Sequence, residues 1–565
     1  MAKNVVVIGA VACGPKAAAR LRRLDPQARI TVIEQGEYIS YAGCGLPYFV
    51  GGDIKEFEHL FATAAGAARN AGYFQKVKDI QFATRTRAES IDRTAKVVHA
   101  KNLATGESIE FPYDNLVLAT GSRPFRPPVE GLELKGVSFL TKVEDSVFLR
   151  EEVNESKGGK AVIIGAGLIG LEAAEAFRKK GWQVQIIEML DQPLGGLMDF
   201  EMAKAIDNAL FENNVMTAYG EKVVRIEGDE NGHCKSVITD EGSYPADVVL
   251  VATGFRPNAE LAKSAGLEIG PTGGIAVNEH MQTSDPAIYA GGDCVECRHL
   301  VTGKPVFVPL GSTANKHGRV IGDNIAGLES RFPGVLGTMV VKVFNMNAGR
   351  TGLTEREAAE AGFDPVCSIA PGFDKAHYYP GSALIGLKLI ADRKTEKVLG
   401  LQAFGGGEVA RRVDVAVAAI TMGATVEQLA EFDLGYAPPF AQAVDAILNA
   451  ANVANNKMRG VTRSIMPQRV KQMIEAEEDF ILLDVRTPRE YEMGHIDAPQ
   501  TMNLPLGELR EKALSALPQD KPIVTMCKIS QRGYEAQRTL AGMGFKDVAF
   551  MDGGLFVWPY PDDVM

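Results

Sequence analysis

The chain has 565 residues, enough for three or four domains of about 150 residues each. Hydrophobic residues make up 46% and charged residues 23%, which is typical of globular domains with their own cores. The chain has 60 Lys and Arg against 71 Asp and Glu, which gives a formal net charge of −11. This charge argues against a nucleic-acid partner, because phosphate binding needs a basic surface. No apolar run reaches the roughly 18 residues of a membrane span. We therefore expect a cytoplasmic protein. Seven cysteines, an odd and sparse set, argue against a disulfide framework.

A buried strand, a glycine turn and a helix open the chain, at 5–8, 9–14 and 16–24, and a second strand at 29–33 ends at Glu34. This order is typical of a βαβ unit with parallel strands.

The same order returns at 161–164, 165–170 and 171–180, followed by a strand at 183–187 that ends at Glu188. Two such units predict two nucleotide-binding domains.

A second repeat links these units, because 113–121 resembles 246–254, and each is an apolar strand that ends in Thr-Gly. We expect an α/β protein with two Rossmann-like nucleotide-binding domains, the first of which is split by the second. The polar stretch 452–463 is expected to be a linker. The expected domains are 1–121 with 255–334, the insert 122–254, an α+β domain at 335–455 and an α/β unit at 465–565.

The second glycine turn, Gly165-x-Gly167-x-x-Gly170, follows a strand and opens a helix. Glycines let the backbone approach a pyrophosphate, and the helix N-terminus offers it free N–H donors. Glu188 could accept a hydrogen bond from a ribose hydroxyl and would repel a 2′-phosphate, which favours NADH over NADPH. The alternative is an ordinary glycine-rich loop.

The first turn has Val11 where the middle glycine of that pattern belongs. Glu34 supports a nucleotide site there, and so does Asp293, which follows an apolar strand and two glycines. This aspartate suits the ribityl and phosphate groups of a flavin; the alternative is a turn residue.

Cys44 lies between Gly43 and Gly45 at the expected start of a helix, which predicts a lowered pKa and a reactive thiolate. The alternative is a buried, inert cysteine. No second cysteine lies within ten residues. Cys294 and Cys297 have the spacing of a C-x-x-C motif, but ordinary packing is favoured over a redox role. Three further cysteines have no suggestive context: Cys13, Cys234 and Cys367.

His377 is the only histidine in 335–455, so a histidine base for a thiol is hard to find in that domain. Tyr378, Tyr379 and Tyr436 could exchange protons instead. The alternative for each is aromatic packing.

The last unit carries a strand at 522–526, a loop from Cys527 to Arg532 and a helix from Tyr534. A cysteine cradled by loop N–H groups can exist as a thiolate or persulfide. Lys528 and Arg532 add positive charge. The alternative is a structural cysteine.

These motifs resemble a known family. Over about 455 residues the chain resembles the single-cysteine coenzyme A-disulfide reductase branch of the flavoprotein disulfide reductases. The motifs are the two glycine turns, 40–48, Tyr378-Tyr379-Pro-Gly and Tyr436-Ala-Pro-Pro. The last 100 residues or so resemble a rhodanese domain through 483–491 and 527–532. The fusion is similar to the coenzyme A-disulfide reductase–rhodanese proteins, also called NADH-dependent persulfide reductases.

The resemblance implies a homodimer that uses FAD, NADH and coenzyme A and holds no metal. Cys44 cycles through a mixed disulfide with coenzyme A, and tyrosines from the partner subunit assist protonation. Cys527 carries a persulfide beside Arg532. The cofactor-binding residues are Gly9, Gly14, Glu34, Thr120, Gly121 and Asp293 for FAD and Gly165, Gly167, Gly170, Glu188 and Gly254 for NADH. Those for coenzyme A are Arg20, Arg23 and Ser40.

We therefore expect an FAD enzyme that uses NADH to reduce persulfides or polysulfides and releases sulfide. The alternatives are a coenzyme A-disulfide reductase and a water-forming NADH oxidase. In either, the last unit could bind or sense sulfur without turnover. Gly43 departs from the family pattern, which usually has Asn before the redox cysteine.

Overall fold

A computed structural model describes residues 2–155 and 158–565. The chain divides into two compact units, Met1–Met189 with Asn214–Val335, and Leu190–Asn213 with Leu336–Met565. Among the described residues, no helix is both long enough and apolar enough to cross a membrane.

The first unit contains two parallel five-stranded sheets. Both are apolar on their two faces, as expected for parallel sheets covered by helices. The first has the order Ile288–Ala290, Asn115–Leu118, Asn4–Ile8, Arg29–Ile33 and Gln81–Ala83. The second has the order Val215–Tyr219, Gln183–Glu188, Lys160–Ile164, Val248–Val251 and Val137–Ser138. Since Ile288–Ala290 returns to the first sheet after every strand of the second, the first sheet is interrupted in sequence by the second. The domain limits themselves stay predictions.

Helices and small antiparallel sheets complete the first unit. Its α-helices are Cys13–Leu24, Leu46–Gly51, Ala71–Lys78, Val143–Glu155, Leu168–Lys179, Glu260–Ser264 and Gly311–Ile325, with 3₁₀ turns at Gly43–Gly45 and Phe57–Leu60. Its antiparallel strands are Thr86–Asp92, Val97–Asn102 and Ser108–Pro112; Val223–Gly228, Cys234–Thr239 and Ser243–Pro245; Ser122–Pro124 with Phe255–Pro257; and Cys297–Arg298 with Pro305–Val306.

The second unit contains an antiparallel sheet and a parallel sheet. The antiparallel sheet has the order Met339–Val343, Met346–Gly352, Val398–Gly405, Leu384–Asp392 and Pro365–Ile369, with Gly372–Phe373 also on Leu384–Asp392. Its companion α-helices are Phe200–Glu212, Glu355–Glu360, Val409–Thr421, Val426–Ala430 and Ala446–Met458.

The parallel sheet has the order Ser464–Ile465, Val548–Met551, Ile523–Met526, Ile481–Asp484 and Thr501–Asn503. The α-helices of this part are Pro467–Glu475, Pro488–Glu492, Leu506–Ala516 and Gln531–Gly542, with 3₁₀ turns at Gly554–Val557 and Pro561–Asp563. The four-part α/β and α+β organisation predicted from the sequence is confirmed.

The prediction of a linker at 452–463 is wrong over most of that range, because helix Ala446–Met458 extends through it as far as Met458. The Asp445 side chain caps the helix by accepting from Ile447 N at 3.2 Å. The buried side of the helix consists largely of alanines such as Ala450 and Ala454, so its remaining Asn and Lys residues gave the stretch a polar composition.

Candidate functional site

The first glycine turn brings its chain segments too close together for side chains. A Cβ on Gly9, which has φ +107°, would lie 2.0 Å from Ala119 O, and one on Gly14 would lie 2.0 Å from Gly9 O. Helix Cys13–Leu24 begins inside the turn, three residues earlier than predicted, and has no side-chain cap among the described residues. The turn therefore presents backbone N–H groups, as a pyrophosphate site requires.

The second glycine turn repeats this construction. A Cβ on Gly165, with φ +108°, would lie 2.5 Å from Ala252 O, and one on Gly170 would lie 2.1 Å from Gly165 O. No atom lies within 4 Å of a Cβ built on Gly167, at the start of helix Leu168–Lys179. This open space suits the close approach of a dinucleotide.

The two predicted ribose-binding acids occupy equivalent places. Glu34 accepts hydrogen bonds from Ala10 N and Gly36 N, both at 2.8 Å. Glu188 accepts one from Ala166 N at 2.8 Å. Each carboxylate is thereby fixed beside its own glycine turn, where the sequence predicts a ribose.

The two Thr-Gly turns have left-handed glycines, with φ +69° at Gly121 and φ +96° at Gly254. Thr120 Oγ1 donates to Asn258 O at 2.6 Å, which closes the first turn. Asp293 lies near this turn, where Ser122 Oγ is 3.4 Å from its carboxylate. Loss of water around Asp293 raises its pKa to about 6. Such a carboxylate suits the hydroxyl donors of a flavin side chain.

The predicted lowered pKa of Cys44 is wrong, because the protein raises the pKa of this thiol. The main cause is loss of water around the sulfur; the negative charges of Glu172 and Asp293 add to it, and only a backbone hydrogen bond opposes it. The residue itself is exposed, on the 3₁₀ turn Gly43–Gly45. A one-turn element contributes little helix dipole, so loss of water around the sulfur, with the nearby carboxylates adding to it, decides the direction of the Cys44 pKa shift.

Glu172 and Tyr48 form a hydrogen-bonded pair near Cys44 that sequence reasoning missed. Tyr48 Oη donates to Glu172 Oε1 at 3.0 Å. Loss of water raises the pKa of Glu172, and the Tyr48 hydrogen bond partly opposes this. Glu172 is the second residue after Gly170, so its place on the glycine-turn helix was the available signal. The pair places an acidic group within electrostatic reach of Cys44.

Two of the three predicted tyrosines are brought together. A hydrogen bond between the Tyr378 and Tyr436 hydroxyls raises the pKa of Tyr378. The His377 ring meets the Tyr378 ring edge to face at 5.4 Å. Tyr379 also lies at the surface. The hydroxyl pair Tyr378–Tyr436 is therefore the stronger candidate for proton transfer.

The predicted coenzyme A residues have different surroundings. Arg20 Nε pairs with Asp323 Oδ1 at 2.5 Å, a partner the sequence did not reveal. Arg23 is exposed. Ser40 is buried, with φ +51°, and its N–H donates to Ala10 O at 2.7 Å. Arg23 is thus the more accessible cation on the first helix.

Cys527 lies at the end of strand Ile523–Met526, fully buried among apolar side chains. Its carbonyl accepts from Leu555 N at 2.9 Å. A Cβ on Gly554 would lie 2.4 Å from the same oxygen. The segment after the last strand therefore supports the cysteine loop from behind.

Arg532 lies at this predicted site, where it forms an ion pair with Glu490, a partner that sequence reasoning missed. Two hydrogen bonds join them at 2.8 and 2.6 Å. The pKa of Arg532 is raised chiefly by Glu490, with smaller contributions from the charge of Cys527 and a hydrogen bond to it. Lys528, the other predicted cation, is exposed. Arg532 therefore lies near Cys527, with its two short side-chain hydrogen bonds made to Glu490.

The remaining cysteines agree with packing rather than redox pairing. All seven lie in the described residues and are free. Cys294 Sγ is 3.5 Å from Leu118 O, and Cys297 Sγ is 3.8 Å from His317 Nε2.

One acidic group could resemble a metal site, formed by Asp199, Glu201 and Glu355. Lys388 Nζ lies among these carboxylates, at 2.9, 2.5 and 2.6 Å. A lysine side chain thus already provides the cation.

Two glycine turns of the kind that bind dinucleotides, and a cysteine near Glu172 and Asp293, are typical of a flavin- and nicotinamide-dependent oxidoreductase. The chain belongs to the pyridine nucleotide-disulphide oxidoreductase family, whose model matches residues 3–317. The family's dimerisation domain matches residues 338–447, and a rhodanese-like domain matches residues 466–559. As a member of this family the chain uses FAD and a nicotinamide nucleotide, and both turns fit these groups.

Similar proteins cover nearly all of the chain. It is 41% identical over 451 residues to the NAD(P)H sulfur oxidoreductase (CoA-dependent) of Pyrococcus furiosus, covering 80% of this chain and 99% of that protein. A solved NAD-dependent persulfide reductase from A. fulgidus is 46% identical, with a TM-score of 0.93 over 98% of this chain and 100% of that one. The reduced CoADR-RHD of Bacillus anthracis is 34% identical, with a TM-score of 0.93 over 100% and 99% of the two chains.

Proposed function

We propose that this enzyme uses NADH to reduce a coenzyme A persulfide, or a related polysulfide, to coenzyme A and sulfide. The observation that carries the proposal is the presence of two separate cysteine sites in one chain. Cys44 lies near the nucleotide turns, and Cys527 lies in a loop with Arg532. The first suits electron transfer and the second suits sulfur transfer.

Cys44 is the proposed nucleophile. Its thiolate attacks the sulfur bonded to coenzyme A, the S–S bond of the persulfide breaks, and hydrosulfide leaves. The resulting mixed disulfide between Cys44 and coenzyme A then takes up two electrons and two protons and regenerates both thiols. Bound FAD supplies the chemistry that passes these electrons from NADH.

The other residues have proposed roles in binding and proton transfer. Arg23, with Arg20, binds coenzyme A phosphates, and Ser40 supports this site. The Tyr378–Tyr436 pair of the partner subunit in a homodimer protonates leaving sulfur. Glu188 favours NADH, because its carboxylate is fixed where a 2′-phosphate would approach.

Cys527 is the proposed sulfur carrier, which distinguishes persulfide reduction from simple reduction of coenzyme A disulfide. Under the second function, Cys527→Ser would leave turnover unchanged with every substrate. We expect Cys527→Ser to lose turnover with an external sulfane-sulfur donor and to retain it with coenzyme A disulfide. Equal activity of native and Cys527→Ser enzyme with both substrates would favour the second function.

NADH and coenzyme A are cytoplasmic metabolites, and free cysteines suit a reducing compartment, so we place the reaction in the cytoplasm.

A further inference from the structure

We infer that Arg411 and Arg412, adjacent on helix Val409–Thr421, are positioning residues that hold the Tyr378–Tyr436 hydroxyl pair in place. The inference rests on the proposed function, which assigns proton transfer to these tyrosines.

Their own packing does not fix the two tyrosines. Tyr378 is 67% exposed and Tyr436 is 52% exposed. Both lie in irregular segments between regular elements. Their hydroxyls meet in the described protomer, so the main chain on which they stand must set their positions.

Arg411 anchors the segment that carries Tyr436. Its guanidinium donates to Phe440 O at 2.7 Å and to Gly435 O at 3.0 Å. The two carbonyls lie at the ends of the Gly-Tyr-Ala-Pro-Pro-Phe segment, so one side chain closes it. A planar guanidinium can bridge two fixed acceptors, whereas the single ammonium of a lysine lacks that geometry.

Arg412 anchors the segment that carries Tyr378. It is 1% exposed and makes a two-point ion pair with Asp445 at 3.0 and 2.7 Å. It also donates to Asp374 O at 2.6 Å. The Asp374 carboxylate accepts from Ala383 N at 2.9 Å, which closes the loop that bears Tyr378.

A main-chain bond joins the two anchored segments, because Ala376 N donates to Pro438 O at 3.3 Å. The two arginines and this bond thus connect the two segments that carry the hydroxyl pair. Since a misplacement of about 1 Å can cost on the order of 100-fold in rate, loss of this connection should lower kcat more than it changes KM.

The test uses Arg411→Met in the full-length holoenzyme, because Arg411 is only partly buried and its loss should leave the fold intact. The control is Arg393→Met, which removes an exposed ion pair with Asp364 in the same unit. We expect kcat for coenzyme A persulfide reduction to fall about tenfold or more in Arg411→Met, with KM within about twofold. We expect the control to match native enzyme. The alkaline limb of the kcat–pH profile should move to lower pH, since Tyr378 loses the bond that raises its pKa.

A double-mutant cycle with Tyr436→Phe separates positioning from general damage. If Arg411 acts through Tyr436, then Arg411→Met causes little further loss in the Tyr436→Phe background. An equal loss in both backgrounds, or no loss when Tyr436 is present, would overturn the inference. A native kcat in Arg411→Lys would also overturn the inference, since a positive charge without the planar guanidinium would then be enough.

Failure of the proposed function is a different result, in which native enzyme releases no sulfide from coenzyme A persulfide. The same cycle is then measured on NADH-dependent reduction of coenzyme A disulfide, and the same criteria decide the inference.

Discussion

Arg532 donates two hydrogen bonds to the carboxylate of Glu490, at 2.8 and 2.6 Å, and so ties the Cys527 loop to the first turn of helix Pro488–Glu492. The Thr487 side chain completes this arrangement as the helix cap. The Arg532 hydrogen bonds are the first cause of a Glu490 pKa of about 2.

This low pKa gives a stability prediction with a definite sign. A carboxyl group with a depressed folded-state pKa adds stability above its unfolded pKa of about 4.3. That stability is lost as pH falls towards the folded value of about 2. We expect the difference in unfolding stability between native enzyme and Glu490→Gln to be constant from about pH 6 to 8 and to shrink below about pH 4. The fluorescence of Trp558, in a Trp182→Phe background, would follow the rhodanese-like domain. A difference that changes between about pH 6 and 8 would contradict the assignment.

Arg532 should matter for sulfur transfer more than for electron transfer. In Arg532→Met we expect persulfide formation at Cys527, measured by mass spectrometry after a sulfane-sulfur donor is added, to slow by about tenfold or more, because a charge-assisted partner of the sulfur is lost. NADH-dependent reduction of coenzyme A disulfide should stay at the native rate. Arg510→Met, at an exposed arginine of the same domain, is the control. A parallel loss of both activities would refute separate roles for the two sites.

Ser530 is strained, with φ +69° beside Cys527. Its buried hydroxyl has no hydrogen-bond partner in the described part of the chain. Glycine adopts positive φ without a Cβ penalty, so we expect Ser530→Gly to stabilise the rhodanese-like domain by about 1 kcal/mol. Ser530→Ala keeps the Cβ and removes only the unpartnered hydroxyl, so it should stabilise the domain by less than Ser530→Gly does. The Trp558 unfolding transition checks both, and equal effects of the two changes would show that backbone strain is not the cause.

Glu172 should control the ionisation of Cys44. Its negative charge is a cause of the raised thiol pKa, so Glu172→Gln should lower that pKa and speed alkylation of Cys44 severalfold at about pH 8, just below an ordinary thiol pKa. The measurement is the pH dependence of iodoacetamide labelling at Cys44, read by peptide mass spectrometry. Glu260→Gln, at an exposed carboxylate of the same unit, should leave the profile unchanged. Slower labelling in Glu172→Gln would give the wrong sign for this electrostatic effect.

Lys388 should be essential for stability. It is 1% exposed and lies among three carboxylates that would repel one another without it. Removing one partner of a buried ion pair costs about 3–5 kcal/mol, so Lys388→Met should lower unfolding stability by about that amount. Lys394→Met, on the exposed end of the same hairpin, should change it by less than about 0.5 kcal/mol. Comparable stabilities of the two variants would show that the cluster contributes little.

Much of the fold could be predicted from local sequence patterns. A Cβ on Gly14 or Gly170 would meet the backbone of its own turn, whereas one on Gly9 or Gly165 would meet Ala119 O or Ala252 O. The glycine spacing, together with the flanking strands, helices and acidic residues, predicted both nucleotide sites. The apolar strand runs likewise predicted the two parallel sheets of the first unit. The helix through 452–458 was missed because alanines on its buried side do not stand out in a polar sequence.

The candidate sites were less predictable, because their electrostatics depend on residues distant in sequence. Glu172 lies 128 positions after Cys44 yet raises its pKa, and Glu490 lies 42 positions before Arg532. The local helix dipole taken alone favours a lowered pKa at Cys44. The place of Glu172 on the glycine-turn helix was the one local signal, and nothing in the local pattern pointed to Glu490 or to Arg411.

The most direct measurement is anaerobic NADH oxidation by the native holoenzyme with coenzyme A persulfide, with sulfide and coenzyme A counted together. We expect one sulfide and one coenzyme A per NADH, and no turnover in Cys44→Ser. The absence of oxygen excludes NADH oxidase chemistry as the source of the signal. NADH consumption without sulfide release, or undiminished release in Cys44→Ser, would contradict persulfide reduction at Cys44.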